Sequence, residues 1–232
     1  MFRMNPIRAA LGLPIAVALA MSAPATAASP RQIIAEAAFR TRDKPVALAQ
    51  LADAENIAAA QLVRDPANRE ARLLRAMAIG YRAKLKHSRR DALAARAQFE
   101  ELAAADPRDA EAAGAVGTWH LDAVVDLGGM VAGMAIGAKK PIGLAQMDRA
   151  VALGGKRAFY AGLAALLRLA IDPDDARGRS LAQFASTAPA PELLDRQMQS
   201  SVIAVLAALK SGEAKRAGKL ARQSLPFGRL NR

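Results

Sequence analysis

The stretch LRAMAIGYRAKLKHSRRDALAARAQFEELAAADP, Leu74–Pro107, decides the fold. Ala95 and Phe99 stand four apart and so share one helix face. Pro107 follows eight residues after Phe99 and cannot continue that helix. Upstream, Leu74, Met77, Ala78 and Tyr81 fall at helical spacing. The stretch therefore predicts two helices joined by a turn near His87–Arg90, with Ser88 and Asp91 forming a capping-box-like start for the second.

The A-x3-F…P pattern of Ala95, Phe99 and Pro107 resembles the second helix of a tetratricopeptide repeat. Leu74, Met77, Ala78 and Tyr81 match the first-helix spacing W-x2-L-G-x2-Y, with the Trp, Leu and Gly replaced. Fainter endings of the same kind are AQLVRDP (Ala60–Pro66), QMDRAVALGG (Gln146–Gly155) and RLAIDP (Arg168–Pro173). Asp–Pro recurs at 65–66, 106–107 and 172–173, where Asp can accept from orphan N–H groups and Pro needs no donor. The resemblance covers roughly residues 45–226 and implies an all-α fold. Tetratricopeptide-like helix-turn-helix pairs would stack into a short α-solenoid and present a concave binding face.

Composition agrees with helices. Aromatic residues make up 4% of the 232-residue chain and hydrophobic residues 53%, with Ala and Leu dominant. Cysteine is absent, which removes disulfides, thiol chemistry and Cys-based zinc sites. The N-terminus reads as a secretory leader: Arg3 and Arg8, then apolar Ala9–Met21, then Ala25-Thr26-Ala27 before a cut after Ala27. The organisation expected is a signal peptide at 1–27, a repeat array at 28–188, and a C-terminal helical hairpin or capping element at 189–232. The location expected is the periplasm or the secreted space. Formal net charge is +12, of which Arg3 and Arg8 supply two. In that compartment a basic surface points to anionic envelope polymer or lipid and away from nucleic acid. A solubility role for the same charge fits equally well.

The segment Asp109–Ala138 is the least ordinary. It holds the only Trp, and Gly129, Gly133 and Gly137 recur every fourth residue. Each Gly weakens a helix, so the stripe implies buried helix packing, a groove or lid, or a membrane-contacting hairpin. Only twelve uncharged residues run from Leu127 to Ala138, too few to span a bilayer. Trp119, Asp122 and Asp126 lie at i, i+3 and i+7 on one face, with His120 turned away by about 100°. The candidate binding groove is therefore Tyr81, Trp119, His120, Asp122 and Asp126, Trp119 being equally readable as core. Lys84, Lys86, Arg89 and Arg90 form a candidate anion-binding corner, or a solvated loop. A carboxylate near a histidine can serve as a general base, but no nucleophile or metal partner accompanies it. Neither catalytic residues, metal nor cofactor is expected.

Further expectations concern single elements. Phe159–Leu169 is apolar enough to be buried on most sides, with Arg168 reaching the surface. Leu181 and Phe184 point inward, and the tail Phe227–Arg232 frays. The function expected is a non-enzymatic envelope scaffold or adaptor that binds a protein or peptide. A carrier of a small molecule or lipid in a closed cavity beside Trp119 is the alternative, and a binder of anionic envelope polymer a further one.

Overall fold

The computed structural model describes Met1 and residues 28–230. The leader expected over residues 1–27 lies, but for Met1, outside the described residues, as do residues 231–232. The described residues form eleven α-helices and no strand: α1 (Pro30–Phe39), α2 (Lys44–Arg64), α3 (Arg69–Lys86), α4 (Arg89–Ala105), α5 (Ala110–Leu127), α6 (Gly129–Ile136), α7 (Lys140–Leu153), α8 (Ala158–Ile171), α9 (Ala176–Thr187), α10 (Leu193–Lys210) and α11 (Ala214–Ser224).

Three connections share one chemistry. Asp65, Asp106 and Asp172 end α2, α4 and α8. Their carboxylates accept from the N–H two residues on, at 3.1, 2.8 and 2.9 Å. Two residues beyond each Pro, Asn68, Asp109 and Asp175 cap α3, α5 and α9 through their side chains. The sequence D-P-x-(N/D) therefore stops one helix and starts the next within four residues. Ser29, Asp43 and Ser88 cap α1, α2 and α4 in the same manner.

Helices close along the chain pack in pairs: α1 on α2, α3 on α4, α5 on α7 across the short α6, α8 on α9, and α10 on α11. The first member of each pair also meets the first member of the next, in the order α1, α3, α5, α8, α10. These first helices run the same way. Arg31 near the start of α1 pairs with Glu70 and Glu111 near the starts of α3 and α5. Arg157 before α8 pairs with Asp195 in the first turn of α10 at 2.9 Å. Lys84 at the end of α3 pairs with Asp122 and Asp126 at the end of α5.

The largest core centres on α8, whose Leu166, Leu167 and Leu169 are fully buried. It runs across residue 188 without a break, taking in Met198, Val202 and Val205 of α10. Arg168 departs from its expected surface position. Asp148 of α7 and Asp175, the N-cap of α9, reach it at 2.7 and 3.4 Å and allow the guanidinium to be buried. Phe184 lies half in solvent instead of inward. The tail also differs from expectation as far as Leu230. The Phe227 N–H donates to Ala38 O of α1 at 2.7 Å, and its ring meets Tyr81 edge-on at 5.1 Å. The described part of the tail thus packs against the first helix.

Candidate binding cavity

The parallel first helices gather their N-terminal ends at one rim and their C-terminal ends at the other. Arg31, Glu111, Arg157 and Glu192 belong to the first rim; Lys84, Asp122 and Asp126 belong to the second. Between Glu111 and Asp122 the helix rises by about 16 Å. That band is apolar, with Leu74, Met77, Trp119, Phe159, Leu163 and Phe227 among its walls. Together the helices and the returning tail line a half-open cavity of about 970 Å³.

At the second rim the Lys84 ammonium lies 2.7 Å from Asp122 and 3.2 Å from Asp126. Burial works against the Lys84 charge, but the two carboxylates outweigh it and raise its pKa. Burial also raises the Asp122 pKa; Lys84 opposes that shift and Asp126 adds to it. The Lys84 shift follows from its two carboxylates, and the Asp122 shift from burial. The corner carries one more negative group than positive, inside a wall that water reaches poorly. Burial, then the Asp122 charge, raises the Tyr81 phenol as well.

Trp119 is held from three sides. Its indole N–H donates to Ala92 O at 3.0 Å, the Arg96 guanidinium lies 5.4 Å from the ring centre, and the His120 ring meets it edge-on at 4.9 Å. Its remaining surface faces the cavity. Four of the five groove residues singled out in the sequence therefore meet there: Tyr81, Trp119, Asp122 and Asp126. His120 does not. It is fully buried behind Trp119, where its Nδ1 accepts the Lys139 N–H at 3.1 Å. Burial, followed by the Arg96 charge, lowers its pKa to about 4, and its Nε2 has no partner. Histidine chemistry at the carboxylates is thus out of reach of His120.

The basic quartet separates. Lys84 is committed to its two carboxylates, while Lys86, Arg89 and Arg90 stay exposed. Arg89 Nε donates to Ala135 O at 2.8 Å, which ties the start of α4 to α6. Arg90 stands 3.5 Å from Asp91. Among the described residues, no group of three or more His, Asp or Glu is arranged to hold a metal ion. Sequence reasoning missed Arg31, Glu111, Phe159 and Phe227. The first two fall one or two residues inside a helix start, a position the recurring caps mark. Nothing local marks Phe227 as a wall of a cavity built by helices far upstream.

Comparisons with protein-family models, curated proteins and solved structures found no match to this chain.

Proposed function

We propose that this protein is a non-enzymatic, tetratricopeptide-like α-solenoid of the cell envelope that takes up an apolar or amphipathic small molecule, such as a lipid. The observation that carries this reading is the cavity of about 970 Å³ beside Trp119, apolar in the middle and charged at both rims. Its size is at the upper end of small-molecule pockets, roughly 300–1,000 Å³. The like direction of the five first helices, and the D-P-x-(N/D) turns between pairs, support the repeat architecture. The leader-like N-terminus supports the compartment.

A carrier fits the apolar band better than a peptide receptor does. An extended peptide buries an N–H and a C=O at every residue, and each needs a partner. The band offers few: the Trp119 N–H is spent on Ala92, and Thr118 is one of the few hydroxyls there. A protein scaffold is the second reading, favoured by the charged groups at the two rims, which suit the polar flanks of a partner segment.

Trp119 is the only tryptophan and therefore a built-in reporter. The test titrates delipidated protein from residue 28 onward with a long-chain fatty acid and a long-chain alkylamine, following Trp emission and the mass of the intact complex. A saturable one-to-one response is expected, stronger for the amine because the Lys84 corner has an excess carboxylate. Ala115→Leu, which fills the band, is expected to weaken binding about tenfold. No response to either probe, together with salt-resistant capture of one defined protein from envelope extracts, would sink the carrier reading in favour of the scaffold.

A further inference from the structure

Helix α6 has its faces reversed. In a helix of a soluble protein the large apolar side chains turn inward and the small or polar ones outward. In α6 the residue turned inward is Ala132, fully buried, whereas Met130 and Met134 are 79% and 74% exposed. Val131, next to Met130 in the chain, is also exposed. The helix packs chiefly on α5 and α4, and that packing leaves this face in solvent. Its packing on α5 is nevertheless fixed. The chain turns by 119° between α5 and α6 through Gly128, at φ 78°, and α6 ends at Gly137, at φ 72°. Positive φ at both positions suits Gly and few other residues. The apolar face is therefore held outward by the backbone.

The charges beside it are mostly basic, the nearby Glu100 being paired with Arg96 at 2.7 Å. Lys139 and Lys140 follow α6 directly and are exposed. Arg89 is bonded to the carbonyl of Ala135 and keeps its charge, and Lys86 lies just before it in the chain. Between Asp126 and Asp148 the sequence has no acidic residue. Asp126 itself faces Lys84.

We propose that the outward face of α6, with Lys139, Lys140 and Arg89 around it, is a docking surface for an anionic lipid bilayer. An apolar helix face flanked by cations lies in the plane of a membrane, its side chains below the headgroups and its charges among them. Spanning is excluded by shape: α6 is eight residues long, about 12 Å, and α5 beyond the bend is packed into the fold. A protein partner is less suited, because the patch has no aromatic residue and the unpaired charges at its rim, Lys139 and Lys140, are cations. The inner side of this same corner, at Leu127, Ala135 and Ile136, lines the cavity. Docking would set one mouth of the cavity against the membrane. The surface stands on its own geometry, so its failure would leave the cavity reading untouched.

The experiment is co-flotation of the protein from residue 28 onward with vesicles of phosphatidylcholine alone or mixed with phosphatidylglycerol, at low and high salt. Binding to the anionic vesicles is expected to exceed binding to the neutral ones about tenfold and to weaken with salt. Met130→Ser/Met134→Ser should reduce anionic-vesicle binding about tenfold while leaving helicity and soluble-probe binding at Trp119 unchanged. Lys139→Gln/Lys140→Gln should reduce it similarly and flatten the salt dependence. Ala115→Leu, inside the cavity, should not affect docking. The proposal is overturned by absence of wild-type flotation, by equal flotation on both vesicle types, or by full flotation of the methionine double variant.

Discussion

His120 shows how much one buried side chain can set. Its Nδ1 accepts a backbone N–H only while the ring is neutral, and burial with Arg96 nearby lowers its pKa to about 4. An unfolded His titrates near 6.5. The folded state therefore resists a proton that the unfolded state accepts. The stability gained from a neutral His120 is complete above about pH 6.5 and is lost as pH falls toward about 4, by up to roughly 3 kcal/mol. Asp91, Asp109 and Glu111 have lowered pKa values, so their losses set in only as pH falls to the unfolded carboxyl range, about 4, and continue below it. Urea denaturation across this range should show the loss in wild type. In His120→Asn, whose side-chain oxygen can still accept the Lys139 N–H, the curve should be nearly flat from about pH 6.5 to 5, above the carboxyl range. An unchanged slope would remove His120 as the cause. The sequence showed that His120 points away from the Trp119–Asp122–Asp126 face, because that is fixed by helical period. It did not show the bond to Lys139, which depends on how the chain returns after α6.

At the scale of elements, the glycines that matter are not the ones whose spacing draws the eye. Gly129 and Gly133 touch little, and Gly137 ends a helix. Close packing belongs to Gly117 and Gly143, where α5 and α7 cross. A Cβ on Gly117 would lie 2.8 Å from the Met147 backbone nitrogen, and one on Gly143 would lie 2.6 Å from Leu121 Cγ. Gly117→Ala should cost about 1–3 kcal/mol by overpacking. Gly129→Ala, with open space around it, should be neutral or gain up to about 1 kcal/mol. Thermal melts of the two variants would separate them, and equal destabilisation would contradict the crossing described. Helix boundaries were legible because Pro and capping side chains act locally, as at Ser29, Asp65, Ser88 and Asp106. Partner helices were not. Arg168 looked like a surface residue because the two carboxylates that neutralise it sit on α7 and before α9. The cavity was half legible: Trp119, Asp122 and Asp126 share a face by period alone, while Arg31 and Phe159 join them through packing across pairs.

On the scale of the whole molecule, the contact of Phe227 with α1 and Tyr81 decides whether the inner face is a trough or a chamber. Phe227 is buried, and it adopts φ 62°, a backbone region costly for a residue with a Cβ. The surrounding contacts must outweigh that cost. Phe227→Ala should destabilise the protein by about 3 kcal/mol and accelerate hydrogen exchange in α1 more than in α8. Uniform acceleration across both helices would mean that the tail is not a separate closing unit. The Ala38–Phe227 bond also has a consequence for timing. It joins opposite ends of the chain, whereas most other helix contacts link near neighbours, and distant contacts form late because the loop they close is long. A chain made from its N-terminus onward can pack α1 to α9 while its inner face still lies open. The residues after Leu225 add its last wall. If the cavity takes the occupant proposed for it, a bulky one would have that interval to enter, and its residence afterwards would depend on how often the tail lets go of the first helix.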